Sequence, residues 1–133
     1  MLRRPPVPGL TGPAERPPAW GVLARALAER RPVSARYHGH ERVVCPHALG
    51  WRDRRAKVLV YQLAGTTSAG PLPAAPERRW RSMFVDEVDD ALVSEARWES
   101  AKNYCDDPSR MGMDVVEVKL LATEALPGTS RCG

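Results

Sequence analysis

The feature that most constrains this chain is its middle, Val33 to Leu92, where short strand-like segments follow one another with only Gly, Pro and His turns between them. Val33-Ser-Ala-Arg-Tyr37 alternates apolar and polar residues, Val58-Leu-Val-Tyr-Gln-Leu63 is apolar with one polar break, and Trp80-Arg-Ser-Met-Phe-Val-Asp-Glu-Val88 closes the series. Such a series predicts a mostly β chain folded as a small barrel or half-barrel. Folds of this kind commonly bind a ligand on a polar face.

The flanks divide the chain further. Residues 1–19 contain Pro5, Pro6, Pro8, Pro13, Pro17 and Pro18, each of which removes a backbone donor, and they predict a disordered proline-rich tail. Trp20, Leu23 and Leu27 recur at helical spacing, so one amphipathic helix is expected from Trp20 to Arg31, ended by Pro32. A hairpin then turns at His38-Gly39-His40 into Glu41–Cys45, and Pro46 closes its second strand. Further strands are expected over Lys57–Ala64, Arg78–Val85 and Glu87–Val93, and Met113–Leu121 reads as a last strand or a short helix, with alternation at Val116, Val118 and Leu120 favouring the strand. The Gly, Ser and Pro content of Gly65–Glu77 predicts a flexible excursion. One domain over residues 20–125 follows, with a flexible tail at 126–133.

Composition narrows the partners. Residues 1–57 hold 12 Lys/Arg against 4 Asp/Glu, and residues 58–133 hold 8 against 12, which gives +8 and −4. A basic half favours an anionic ligand, or head-to-tail association with the acidic half. Cys45, Cys105 and Cys132 have no paired spacing, and an odd number leaves one free in any intramolecular scheme, so a reducing cytoplasm is expected. Prolines interrupt the apolar core that a signal peptide needs, and no apolar run approaches the roughly 20 residues of a membrane span.

Chemistry-bearing residues point to binding rather than catalysis. Tyr37, Arg42, His47, Tyr61, Gln62 and Arg81 offer aromatic faces for stacking, guanidinium forks for phosphate and an amide for a base edge, the set that a nucleotide or single-stranded nucleic acid requires. His38, His40, Cys45 and His47 are acceptable zinc ligands, but Gly39 marks a turn and no Cys-x-x-Cys accompanies them, so no metal or other cofactor is expected. Neither Cys45 nor Ser82 has nucleophile-elbow glycines around it. Trp51, Trp80 and Trp98 are expected as core or loop anchors.

The order of these elements resembles the WYL family of ligand-sensing domains, over about half the chain. A short helix (Trp20–Arg31), a strand ending in Tyr37, Arg42 before Pro46, an apolar strand bearing Tyr61, and Met83-Phe-Val-Asp-Glu-Val88 follow the family pattern. The Trp-Tyr-Leu triplet is replaced by Val60-Tyr61-Gln62, and Phe84 stands where the family has arginine. The resemblance implies an SH3-like or Sm-like barrel with one N-terminal helix. It further implies a regulatory module of the bacterial cytoplasm that binds nucleotides or single-stranded nucleic acid without acting chemically on them. No winged helix accompanies it, so a standalone, diverged member is expected. The alternative is a protein–protein interaction module without a small ligand, whose partner includes a second copy of itself.

Overall fold

A computed structural model describes residues 15–128, in which helix α1 (Ala19–Glu29) precedes strands β1 (Val33–Tyr37), β2 (His40–Arg52), β3 (Arg55–Thr67), β4 (Gly70–Pro71), β5 (Trp80–Phe84), β6 (Val88–Val93) and β7 (Val115–Lys119), followed by the short helix α2 (Ala122–Ala125). The proline-rich tail is described only over residues 15–18 and the C-terminal tail only over 126–128; the rest of each lies outside the described residues.

The centre is a long antiparallel hairpin of β2 and β3, on which the order β4-β3-β2-β1-β6 is built; β5 also pairs with β3, and β7 with β2. Both tight turns use left-handed backbone. His38 and Gly39 have φ of 51° and 78°, and Asp53 and Arg54 have 49° and 66°, the signs that a two-residue hairpin loop needs to follow strand twist. The chain is therefore mostly β, as expected. The sheet is open, however, and not closed into the expected barrel: β4 and β6 end the path without pairing to each other.

Helix α1 covers one face of the sheet. Leu23 and Leu27, both buried, pack with Val33, Val44, Val58, Val60, Met83 and Val85 in the main core. Trp20 anchors its start, stacked on Trp51 with centroids 5.2 Å apart. Its end is set by Arg30, which adopts φ 52° so that N–H groups at 30 and 31 return to the carbonyls of Leu27 and Ala26; Pro32 lies just beyond.

Two expectations need correction. Pro46 does not end the second strand, which continues to Arg52. The pairing with β3 shifts between Pro46 and Ala48, and a bulge there accommodates a residue without an N–H. The segment after Gly65 is also more ordered than its composition suggests, because β3 runs to Thr67, Gly70–Pro71 folds back on it, and Pro76–Arg78 forms a 3-10 turn. Of the cysteines, Cys45 is free and buried, whereas Cys105 is disulfide-bonded, a state that the expected reducing environment disfavours. Among the described residues no helix is long and apolar enough to cross a membrane.

Candidate functional site

Strand alternation sorts the six expected site residues onto two faces. On β1, Val33, Ala35 and Tyr37 point to the α1 side, and Ala35 lies directly opposite Arg42 on β2. Val44 faces the same way and is paired with Gln62, while Val60, two residues before Gln62, is paired with Arg81 on β5. Tyr37, Arg42, Gln62 and Arg81 therefore form a row across four neighbouring strands, at the polar end of the main core. Tyr61 and His47 do not belong to it. Tyr61 is opposite Cys45 and Trp80, on the other face.

The row is incompletely paired among the described residues. Arg42 is only 5% exposed, its Nη2 donates to the Tyr37 carbonyl oxygen at 3.4 Å, and its guanidinium lies 5.2 Å from the Tyr37 ring centroid. Burial holds its pKa below the usual value and the positive charge of Arg81 lowers it further; no carboxylate among the described residues opposes these effects. Its Nε has no hydrogen-bond partner among the described residues.

Gln62 is fully buried and its amide orientation is fixed. Nε2 lies 3.1 Å from the carbonyl oxygens of both Ala64 and Thr66, which can only accept, so the nitrogen occupies that side. Oε1 then faces elsewhere and has no donor among the described residues. The row thus contains one donor and one acceptor left over in a place where unpaired groups cost roughly 1–3 kcal/mol each.

Tyr37 and Arg81 frame these groups. The Tyr37 hydroxyl accepts the Phe84 backbone N–H at 3.1 Å, and burial raises its pKa. Arg81 is half-buried and donates from Nη1 to the carbonyls of Arg78 and Trp80. Gly65 permits the close approach of β3 to this end of β2: a Cβ there would sit 2.1 Å from the Glu41 carbonyl oxygen and 2.8 Å from Arg42 Cα. A groove of about 410 Å3 lies mainly on the other face of β1 and β2, where Ser34, Arg36, Glu41 and Val43 point away from the Arg42 side chain, with Gly65 and Asp90 beside them.

On the opposite face, His47 is the hub of a packed cluster. Its ring meets Trp80, Trp98 and Tyr104 with centroids 4.7, 4.9 and 4.8 Å away. The Cys45 carbonyl, 2.8 Å from Nδ1, can only accept, so Nδ1 carries the proton and Nε2 accepts from the Ser100 hydroxyl at 2.8 Å. Burial pushes the His47 pKa down to about 4, so the ring is neutral near pH 7. With no exposed surface and both nitrogens satisfied, His47 holds the cluster together and lies off the Arg42 row. Tyr61 packs beside it against Trp80, centroids 5.1 Å apart.

The other histidines go elsewhere: His38 meets Glu87 at 3.2 Å and His40 meets Thr66 at 2.9 Å. Among the described residues no group of three or more His, Cys, Asp or Glu side chains converges as a metal site would require. Burial pushes the Cys45 thiol up to about 12, which leaves it without thiolate character. Tyr104, absent from the expected set, is buried and donates to the Leu120 carbonyl at 2.7 Å. The one signal for it in the sequence is a lone aromatic inside the polar run Lys102–Pro108.

Comparison with protein-family models, with curated proteins and with solved structures found no match.

Proposed function

We propose that this chain is a WYL-like ligand-binding and regulatory module that takes a nucleotide or single-stranded nucleic acid, with Arg42 as the seat of a phosphate. The observation that carries this reading is the buried Arg42 guanidinium, which has Arg81 nearby and no carboxylate partner among the described residues. A cation kept out of water costs several kcal/mol unless an anion joins it. Phosphate suits the fork geometry of arginine. The unpaired Oε1 of Gln62 adds an acceptor for a base N–H, and the module binds without chemistry on its ligand. An SH3-like or Sm-like curvature is part of the proposal. It is supported by the single 3-10 turn Val85–Glu87 joining β5 to β6, which draws the two flanks of the sheet round one core. Fluorescence anisotropy with labelled mononucleotides and short oligonucleotides at low salt tests the reading, and no binding by the intact chain removes it.

The second reading, an interaction module, has its own observation. Val115, Val118 and Leu121 are exposed on or beside β7, which among the described residues pairs only with β2. A second copy in antiparallel register about Val118 would set Val115 against Leu121 and Val118 against itself, a self-complementary edge. Sedimentation equilibrium decides it: a dimer that Val118→Lys dissociates supports this reading, and a wild-type monomer at high micromolar concentration removes it.

A further inference from the structure

On the face opposite the Arg42 row, the His47 aromatic cluster borders a groove of about 260 Å3 lined by Leu59, Trp80, Asn103, Tyr104, Cys105 and Arg110. Its aromatic wall is fixed. Trp80 donates from Nε1 to Asn103 Oδ1 at 2.8 Å, and Asn103 in turn donates from Nδ2 to the Glu77 carbonyl at 3.0 Å, so the indole cannot turn without breaking this chain. Tyr104 lies nearly parallel to Trp80, with centroids 5.4 Å apart and planes at 24°, and its hydroxyl is tied to Leu120.

Arg110 brings charge to this wall from the end of the 3-10 turn Pro108–Arg110. Asp107, the nearest acidic neighbour in the turn, is engaged by the backbone N–H and the hydroxyl of Ser109 at 3.0 and 2.9 Å. The Arg110 guanidinium makes no hydrogen bond or ion pair among the described residues. The Arg110 charge helps to lower the Asp107 pKa, but no hydrogen bond holds the guanidinium, and a rigid aromatic surface beside it is complementary to a flat ring that carries a negative group.

We infer that this groove is a ligand site separate from the Arg42 row, taking a single aromatic ring that bears a phosphate or carboxylate, with the ring against Trp80 and the anion on Arg110. Its size sets the limit: ligand pockets commonly run from roughly 300 to 1,000 Å3, so this one suits one ring with one anionic group and excludes a base pair or a dinucleotide. The chemistry is shared by aromatic acids and by the base and phosphate of a mononucleotide.

The test uses the intact chain labelled with 15N. The indole N–H signal of Trp80, identified by its loss in Trp80→Phe, is followed during titration with phenyl phosphate, with AMP, and with inorganic phosphate and phenol as the separate halves. The groove predicts saturable movement of that signal by phenyl phosphate, with each half binding at least ~10-fold more weakly. Arg110→Ala should weaken phenyl phosphate ~10-fold with an unchanged melt, and Arg42→Met should leave it unchanged. Response to phenyl phosphate alone identifies aromatic acids as the source; an equal response to AMP admits nucleotides. The inference is overturned if phenyl phosphate does not move the signal at millimolar concentration, or if Arg110→Ala binds it as tightly as wild type. It is also overturned if Arg42→Met, and not Arg110→Ala, abolishes binding. Nucleotide binding lost in Arg42→Met with no response at Trp80 would sink this site alone and leave the Arg42 reading standing.

Discussion

Arg42 and Tyr37 face the core from adjacent antiparallel strands, with the guanidinium 5.2 Å from the ring centroid and Nη2 donating to the tyrosine carbonyl at 3.4 Å. Among the described residues the same side chain reaches no carboxylate, and its Nε reaches no acceptor. A residue placed in this way adds little to folding in the ligand-free chain.

Arg42→Met is therefore expected to be neutral or stabilising, by about 1–2 kcal/mol, because an apolar side chain of similar length removes a buried unpaired charge. Urea unfolding of the two proteins measures this. A fall of 2 kcal/mol or more would mean that the guanidinium is paired in solution.

Tyr61 and Tyr37 should behave differently from each other. Tyr61 fills the space between Cys45 and Trp80, so Tyr61→Ala is expected to cost ~3–5 kcal/mol, while anion affinity of the folded fraction stays unchanged. Tyr37→Phe removes the acceptor of the Phe84 N–H and should cost about 1–2 kcal/mol. Thermal melts paired with binding titrations check both, and a Tyr61→Ala protein that folds well but fails to bind would return Tyr61 to the site.

His47 should make stability depend on pH. Its pKa falls from 6.5 in the unfolded chain to about 4 in the fold, so below 6.5 the unfolded state takes up a proton that the folded state refuses. Stability is thus greatest above pH 6.5, declines as the pH drops towards 4, and loses ~3 kcal/mol in all. The comparison is the pH profile of unfolding free energy for wild type against His47→Gln. The variant should show a flatter profile between pH 6.5 and 4, and parallel profiles would contradict the assignment.

Gly65→Ala is expected to unfasten β3 from the Arg42 end of β2, since φ at Gly65 is +97° and the added Cβ meets backbone at 2.1 Å. A loss of about 2–4 kcal/mol is predicted, with weakened anion binding in the folded remainder. Hydrogen exchange at Val43 and Ala64 would locate the damage, and unchanged protection there would contradict it.

Much of the fold was legible because period and turn chemistry are local. Val33, Ala35 and Tyr37 alternate as a half-buried strand should, and His38-Gly39 announces its hairpin. Pro46 misled because its cost depends on whether a partner needs its N–H, and a bulge opposite Val60 and Leu59 decides that. Openness of the sheet depends on long-range pairing that no residue advertises. Within the site, Tyr37, Arg42, Gln62 and Arg81 share one face, but residue type alone does not show this, because facing is set by register. The bulge at Leu63 and the run from Val60 to Gln62, all buried, hide from the sequence that Tyr61 and Gln62 point to opposite faces.

The central claim, an anionic ligand seated on Arg42, is tested most directly by anisotropy titration of a labelled short single-stranded oligonucleotide against wild type and Arg42→Met across a salt series. The account predicts saturable binding by wild type that weakens steeply as salt rises. It predicts at least ~10-fold weaker binding and a shallower salt dependence for Arg42→Met, with both proteins folded. Equal affinity and equal salt dependence in the two proteins would contradict it.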